Sequence, residues 1–146
     1  MIAVDTNVLV YAHRRDAPFH DAAARSLRIL AESRDPWAIP WPCIHEFLAI
    51  VTHPRIYAPP STLRQALDQL RAWRESSRLQ LLSEDDAYFA TLDDLLTSGR
   101  ISGAAVHDAR IAALCLRNRV DVLWTADRDF GRFPTLRVAN PLVGAA

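Results

Sequence analysis

The chain has 146 residues, 50% of them apolar and 23% charged, a balance that fits one globular domain with one core and excludes a disordered or fibrous chain. Its 17 basic residues offset 17 acidic ones, so net charge gives no global attraction for a nucleic-acid partner. Every basic residue is an arginine, as codon bias in a GC-rich genome produces, and chemistry that requires a lysine is excluded.

In chain order, Ile2-Ala3-Val4 is a short apolar run that stops at Asp5-Thr6-Asn7. It reads as a buried strand of a parallel sheet. Val8 to Arg14 continues as a short helix. Pro18 opens a second helix with Phe19, Ala23, Leu27 and Leu30 on one face, and Asp35-Pro36 breaks it. Trp37-Ala38-Ile39 is the second strand candidate. Pro42 starts a third helix with Ile44, Phe47, Leu48 and Val51 as its apolar stripe, ending near His53-Pro54. A proline-bearing loop over 54–60 leads to Ser61 or Thr62, either of which can cap a fourth helix striped by Leu63, Ala66, Leu67, Leu70 and Trp73. Leu79 to Leu82 is the third strand candidate. The acidic start Ser83-Glu84-Asp85-Asp86 opens a fifth helix with Phe89, Leu92 and Leu96 facing inward and Gly99 near its stop. A sixth helix spans about Ala104 to Asn118. Val120 to Trp124 is the fourth strand, ending in Thr125-Ala126-Asp127, and Leu136-Arg137-Val138 is a short last strand.

Strands alternating with helices predict an α/β fold, a three-layer domain with a mainly parallel central sheet flanked by helices, over residues 1–146 as a single domain. No apolar run approaches the ~20 residues of a membrane span. Asp5 interrupts the first apolar run and no basic segment precedes it, so a signal peptide is not expected. Cys43 and Cys115 lie far apart without CxxC spacing, which predicts two ordinary thiols and a reducing, cytoplasmic setting.

The chemistry lies in the carboxylates. In open α/β sheets, ligand-handling groups sit just past the carboxyl ends of strands, where Asp5 is placed; an Asp there can equally cap the following helix. Asp108 shares a helical face with Ala104, Ile111, Ala112 and Cys115, and an ionised carboxylate on an apolar stripe is costly unless something pairs with it. The positive end of its helix explains a first-turn acid but not that face. Glu46 lies opposite its helix's apolar stripe, as a solvated glutamate would. Asp127 and Asp129 flank the end of the fourth strand, where turn and capping roles also fit. Asp85, Asp86, Asp93 and Asp94 read as exposed helix charges. If Asp5, Glu46, Asp108 and Asp127 meet, their repulsion protonates some of them unless a divalent cation is bound, and hard oxygen ligands select Mg²⁺ or Mn²⁺. Such a site suits phosphodiester hydrolysis. Arg64, Arg71, Arg74 and Arg78 share a sector of the fourth helix, but Asp68 and Glu75 stand four residues after Arg64 and Arg71 and pair with them in an ordinary way. Arg14, Arg15, Arg110 and Arg128 are placed to reach phosphates near the acids.

Together, the strand ending in Asp5-Thr6-Asn7, the mid-helix Glu46, the His107-Asp108-Ala109 helix and the Thr125-Ala126-Asp127-Arg128-Asp129-Phe130 turn resemble a PIN domain, and more closely the VapC-type toxins of bacterial toxin–antitoxin pairs. The resemblance covers essentially the whole chain, including its Phe133-Pro134 and Asn140-Pro141 ending. It implies a small ribonuclease dependent on Mg²⁺ or Mn²⁺, with Asp5, Glu46, Asp108 and Asp127 as the catalytic and metal-binding acids. Thr6 and Asn7 would support Asp5, Thr125 would support the fourth acid, and Asp129 would share or replace the role of Asp127. It further implies an RNA substrate, a homodimer and a VapB-type antitoxin whose tail enters the cleft.

Other readings fit less well. A haloacid-dehalogenase phosphatase needs a second Asp at position 7, which is Asn, and both it and a phosphoreceiver domain need a lysine. Cys43, His45 and His53 lack a four-ligand zinc spacing. His107 is placed as a cap or surface residue more than as a catalytic base. The remaining rival is a PIN-like binding module without catalysis.

Overall fold

A computed structural model describes residues 1–143. Five parallel strands, β1 (Ile2–Val4), β2 (Trp37–Pro40), β3 (Leu79–Leu82), β4 (Val122–Trp124) and β5 (Val138–Ala139), form one sheet in the order β3-β2-β1-β4-β5. Ala3 and Val4, and Trp37, Ala38 and Ile39, are fully buried at consecutive positions. Side chains alternate between sheet faces, so unbroken burial means both faces are covered, as a parallel sheet requires. The cover comes from α1 (Thr6–His13), α2 (His20–Glu32), α3 (Trp41–Val51), α4 (Leu63–Arg74), α5 (Tyr88–Gly99) and α6 (Ala105–Arg117), with α1 packed on α2 and α3, α3 on α4, and α5 on α6. No helix among the described residues is long and apolar enough to cross a membrane.

The strand order fixes where a site can form. From β1 the chain steps to β2 and β3 on one side, then returns to place β4 and β5 on the other. The order therefore reverses between β1 and β4, and a crevice opens past their carboxyl ends. Val4 is in register with Trp124, so the next residues, Asp5 and Thr125, arrive side by side, and the Asp5 amide donates to the Trp124 carbonyl at 2.9 Å.

Several local expectations are corrected. Phe19, Leu63 and Phe89 were expected on buried stripes but are exposed, and each stands at a helix start: Phe19 immediately before α2 with a left-handed φ of 61°, Leu63 first in α4, Phe89 second in α5. Side chains lean toward the N-terminus of a helix, so first-turn residues overhang its end instead of covering the core. Ala104 is exposed and precedes α6. The final strand is in register with β4 at Val138 and Ala139, and the Arg137 carbonyl accepts from the Leu123 amide at 2.9 Å; Leu136 is buried but belongs to the turn before it, its amide bonded to the Phe133 carbonyl. Thr62, not Ser61, caps α4, in a reciprocal capping box with Gln65. Arg71 pairs with Asp68 at 2.8 Å instead of Glu75.

Candidate functional site

At the reversal point, Asp5 serves as both helix cap and cleft wall. Its Oδ1 accepts from the Thr6 amide at 2.8 Å, the cap expected of an Asp before a helix. Its Oδ2 accepts from the Thr125 hydroxyl at 2.7 Å and faces the Asn7 amide nitrogen at 3.4 Å, and the Cys43 thiol stands 3.5 Å from Oδ1. Only 4% of Asp5 is exposed. Burial is the largest influence on its carboxyl and pushes the pKa up to about 6, despite the opposing hydrogen bonds from Thr125, Thr6 and Cys43.

Thr125 holds this arrangement from β4. Its hydroxyl gives its one proton to Asp5 and accepts from the Asn7 side chain at 3.3 Å and the Asp127 amide at 3.0 Å, so proton and both lone pairs are used. Asn7 in turn accepts from the Ala126 amide at 3.1 Å, tying the start of α1 to the segment after β4. Replacing the hydroxyl leaves buried polar groups without partners. Thr125→Val is therefore expected to cost roughly 1–3 kcal/mol of stability and to raise the Asp5 pKa further, whereas Thr125→Ser keeps both near wild type. Urea unfolding and an NMR titration of the Asp5 carboxyl check this; equal stability of the valine variant would mean that the hydroxyl does not hold the site.

The other acids converge on the same crevice. A cleft of about 270 Å³ is lined by Asp5, Thr6, Asn7, Glu46, Asp108 and Asp127, with Tyr11 and Tyr57 among its remaining walls. Glu46 is exposed, on the α3 face opposite the buried Ile44, Phe47 and Val51, and its Oε2 accepts from the Thr6 hydroxyl at 3.2 Å. Asp108, in the first turn of α6, is half-buried. Burial raises its pKa most, the charges of Asp127 and Asp129 raise it further, and Arg132 opposes them. Asp127 begins a short 3-10 helix, Arg128–Arg132, and its Oδ1 accepts from the Asp129 amide at 2.8 Å. Carboxylate oxygens of Asp108, Asp127 and Asp129 all lie within 4.8 Å of one another.

The expected acids from four chain-distant segments thus line one cleft, and Asp129 joins Asp108 and Asp127 at its edge. Clustered carboxylates, with the pKa values of Asp5 and Asp108 raised, and oxygen-only donors fit a hard divalent cation. Two contributors had no sequence signal: Cys43, a buried thiol beside Asp5, and Arg132, whose charge reaches Asp108. Of the arginines expected near phosphates, Arg14 is engaged by Asp16 and Ser61, Arg110 is paired with Glu84 at 2.8 Å, and Arg15 lines a different cleft.

Comparison with known proteins agrees with this geometry. The PIN domain family model matches residues 2–136. Ribonuclease VapC43 of Mycobacterium tuberculosis is 32% identical over 144 residues, covering 99% of this chain and 97% of the relative. Among solved structures, VapBC2 from Rickettsia felis bound to a DNA fragment from its promoter superposes with a TM-score of 0.70 at 23% identity, covering 96% of this chain and 98% of that one. VapC20 of Mycobacterium tuberculosis, a sarcin-ricin loop cleaving toxin, superposes with a TM-score of 0.63 at 17% identity, covering 90% and 93%. A family match over nearly the whole chain, with the acids of that chain gathered at the sheet's reversal point, places the protein in the PIN-domain family.

Proposed function

We propose that the chain is a metal-dependent endoribonuclease, the toxin of a VapBC-type toxin–antitoxin pair. The observation that carries the reading is the meeting of Asp5, Glu46, Asp108 and Asp127 in one cleft, with Asp5 buried at its floor. The ribonuclease names of its relatives supply the substrate class. The VapBC2 assembly, which this chain resembles in fold, supplies the second partner, a VapB-type antitoxin.

Asp5 and Asp108 would hold the ion, Mg²⁺ or Mn²⁺, with Glu46 and Asp127 completing the set and Asp129 able to replace Asp127. When bound, the ion lowers the pKa of water and neutralises charge developing on the phosphate. The chain's own residues prepare this. Thr6, Asn7 and Thr125 fix both oxygens of Asp5 before any substrate arrives, so little reorganisation remains. The Thr6 hydroxyl holds one oxygen of Glu46 and leaves the other to orient the attacking water. In this reading the full chain works as one nuclease domain, in the cytoplasm and as a homodimer.

The test is cleavage of total cellular RNA by purified protein, with Mn²⁺ or Mg²⁺ against EDTA and with Asp5→Asn alongside. Discrete fragments that need the ion and vanish in the variant are expected. A folded protein that binds the ion but cuts no RNA would make it a binding module, and cleavage indifferent to EDTA would remove the metal from the reading.

A further inference from the structure

Arg132, at the end of the 3-10 helix, belongs to none of the acid-supporting contacts, yet it is held beside them. Its Nε donates to the Asp129 carbonyl at 3.1 Å, while its Nη2 stands 3.9 Å from Asp129 Oδ1, too far for a hydrogen bond. The backbone beneath it is pinned by Phe130 and Phe133, both buried, with ring centroids 6.1 Å apart. A guanidinium carries five N–H donors, and among the described residues only the Nε hydrogen of Arg132 has a hydrogen-bond partner. Its side chain is 40% exposed.

The surroundings show where the free donors can be used. Arg132 borders a cleft of about 500 Å³ with Asp94, Leu95 and Phe133, between α5 and the 3-10 helix, and a second of about 280 Å³ with Arg100 and Ser102 in the α5–α6 loop. Its charge is felt at Asp108. One guanidinium therefore adjoins the acid cluster and two open clefts, whereas Arg14 and Arg110 are committed to other partners and Arg128 borders neither cleft. Stability does not account for this, because a surface pair three residues apart at such a separation contributes little. Substrate does. Clustered carboxylates repel a polyanion, and a cation at their rim with an unfilled planar fork offsets that repulsion and fixes direction.

We infer that Arg132 binds a backbone phosphate of the RNA next to the scissile one, at the rim of the acid cluster. The inference rests on the ribonuclease reading, and its test does not require cleavage. Binding of a fluorescent single-stranded RNA is measured by anisotropy in EDTA across a salt series, comparing Asp5→Asn with Asp5→Asn/Arg132→Gln. The expected result is an affinity loss of about tenfold, a log–log salt slope shallower by about 0.7, and an unchanged melting temperature. Arg132→Lys in the same background should restore the slope but only part of the affinity, because the charge returns without the planar fork. In the otherwise native protein Arg132→Gln should raise KM by a larger factor than it lowers kcat. Equal affinity and slope with and without the guanidinium, or a loss that follows a falling melting temperature, would overturn the inference. Intact RNA after incubation with the native protein would instead count against the ribonuclease reading, since the binding comparison stands apart from turnover.

Discussion

Asp5→Asn should abolish RNA cleavage and, in metal-free protein at pH 7.5, raise the melting temperature. The activity loss follows from the proposed role: removing one of the firmest charges that hold the ion forfeits several kcal/mol of transition-state stabilisation, or on the order of 10²–10³-fold in rate. The stability gain follows from burial. The Asp5 carboxyl has a pKa of about 6 in the fold against 3.8 in its ordinary state. A raised carboxyl pKa means that the folded chain binds the proton more tightly than the unfolded chain. The ionised form therefore destabilises the fold, by an amount that grows as pH rises from about 4 to 6 and is constant above. Two pKa units correspond to roughly 3 kcal/mol as an upper limit. Asparagine keeps the cap on the Thr6 amide but cannot accept through Nδ2 from the Thr125 hydroxyl, which takes back part of the gain. A net gain of about 1–2 kcal/mol, or roughly 2–8 °C, is expected at pH 7.5 and none at pH 4.5. Mn²⁺ should raise the melting temperature of the native protein and not of the variant. The measurement separates two roles of one side chain. If Asp5 served only as a helix cap, the variant would be active and no more stable at pH 7.5 than at pH 4.5.

The parts of this site that could be read in the sequence are those where local pattern and chemistry coincide. Asp5 follows a short apolar run at once, and a strand ending in an acid predicts a position at the sheet's carboxyl edge, where it lies. Asp108 breaks an apolar helical stripe, and that discord marks it as facing inward; it is half-buried against other acids. Glu46 gave no such discord. Helical periodicity shows which face of α3 packs on the core, whereas the role of the opposite face depends on Thr6, forty positions away, coming to meet it. Arg132 and Cys43 are invisible for the same reason, since their neighbours are set by topology and not by spacing. The three misplaced aromatic and aliphatic side chains show the matching limit in the fold. Leu63 and Phe89 keep their helical phase and Phe19 stands just outside its helix, but phase says nothing of where a helix begins or runs past the core it covers.

Affinity for Mn²⁺ should weaken more than tenfold between pH 7.5 and pH 5, and the weakening should come from Asp5 and Asp108. A divalent ion competes with protons for its ligands. At pH 7.5 a carboxyl with a pKa of about 6 is almost wholly ionised, and at pH 5 only about a tenth of it is, so Asp5 alone accounts for a tenfold loss. Asp108 adds to it in the same direction, because burial and the neighbouring Asp127 and Asp129 charges raise its pKa as well. Ion binding must then release protons, about one per ion at pH 5 from Asp5 and fewer at pH 7.5. Calorimetric titration in two buffers of different ionisation enthalpy counts them. Asp108→Asn should bind the ion more weakly at every pH and with a shallower pH dependence. Asp129→Asn lowers the charge that holds the Asp108 proton, so it should shift the pH dependence toward acid while costing less affinity at pH 7.5. An affinity that stays level from pH 7.5 to pH 5 would mean that neither Asp5 nor Asp108 is a ligand, and the ion would then have to sit among the other acids, Asp127 and Asp129.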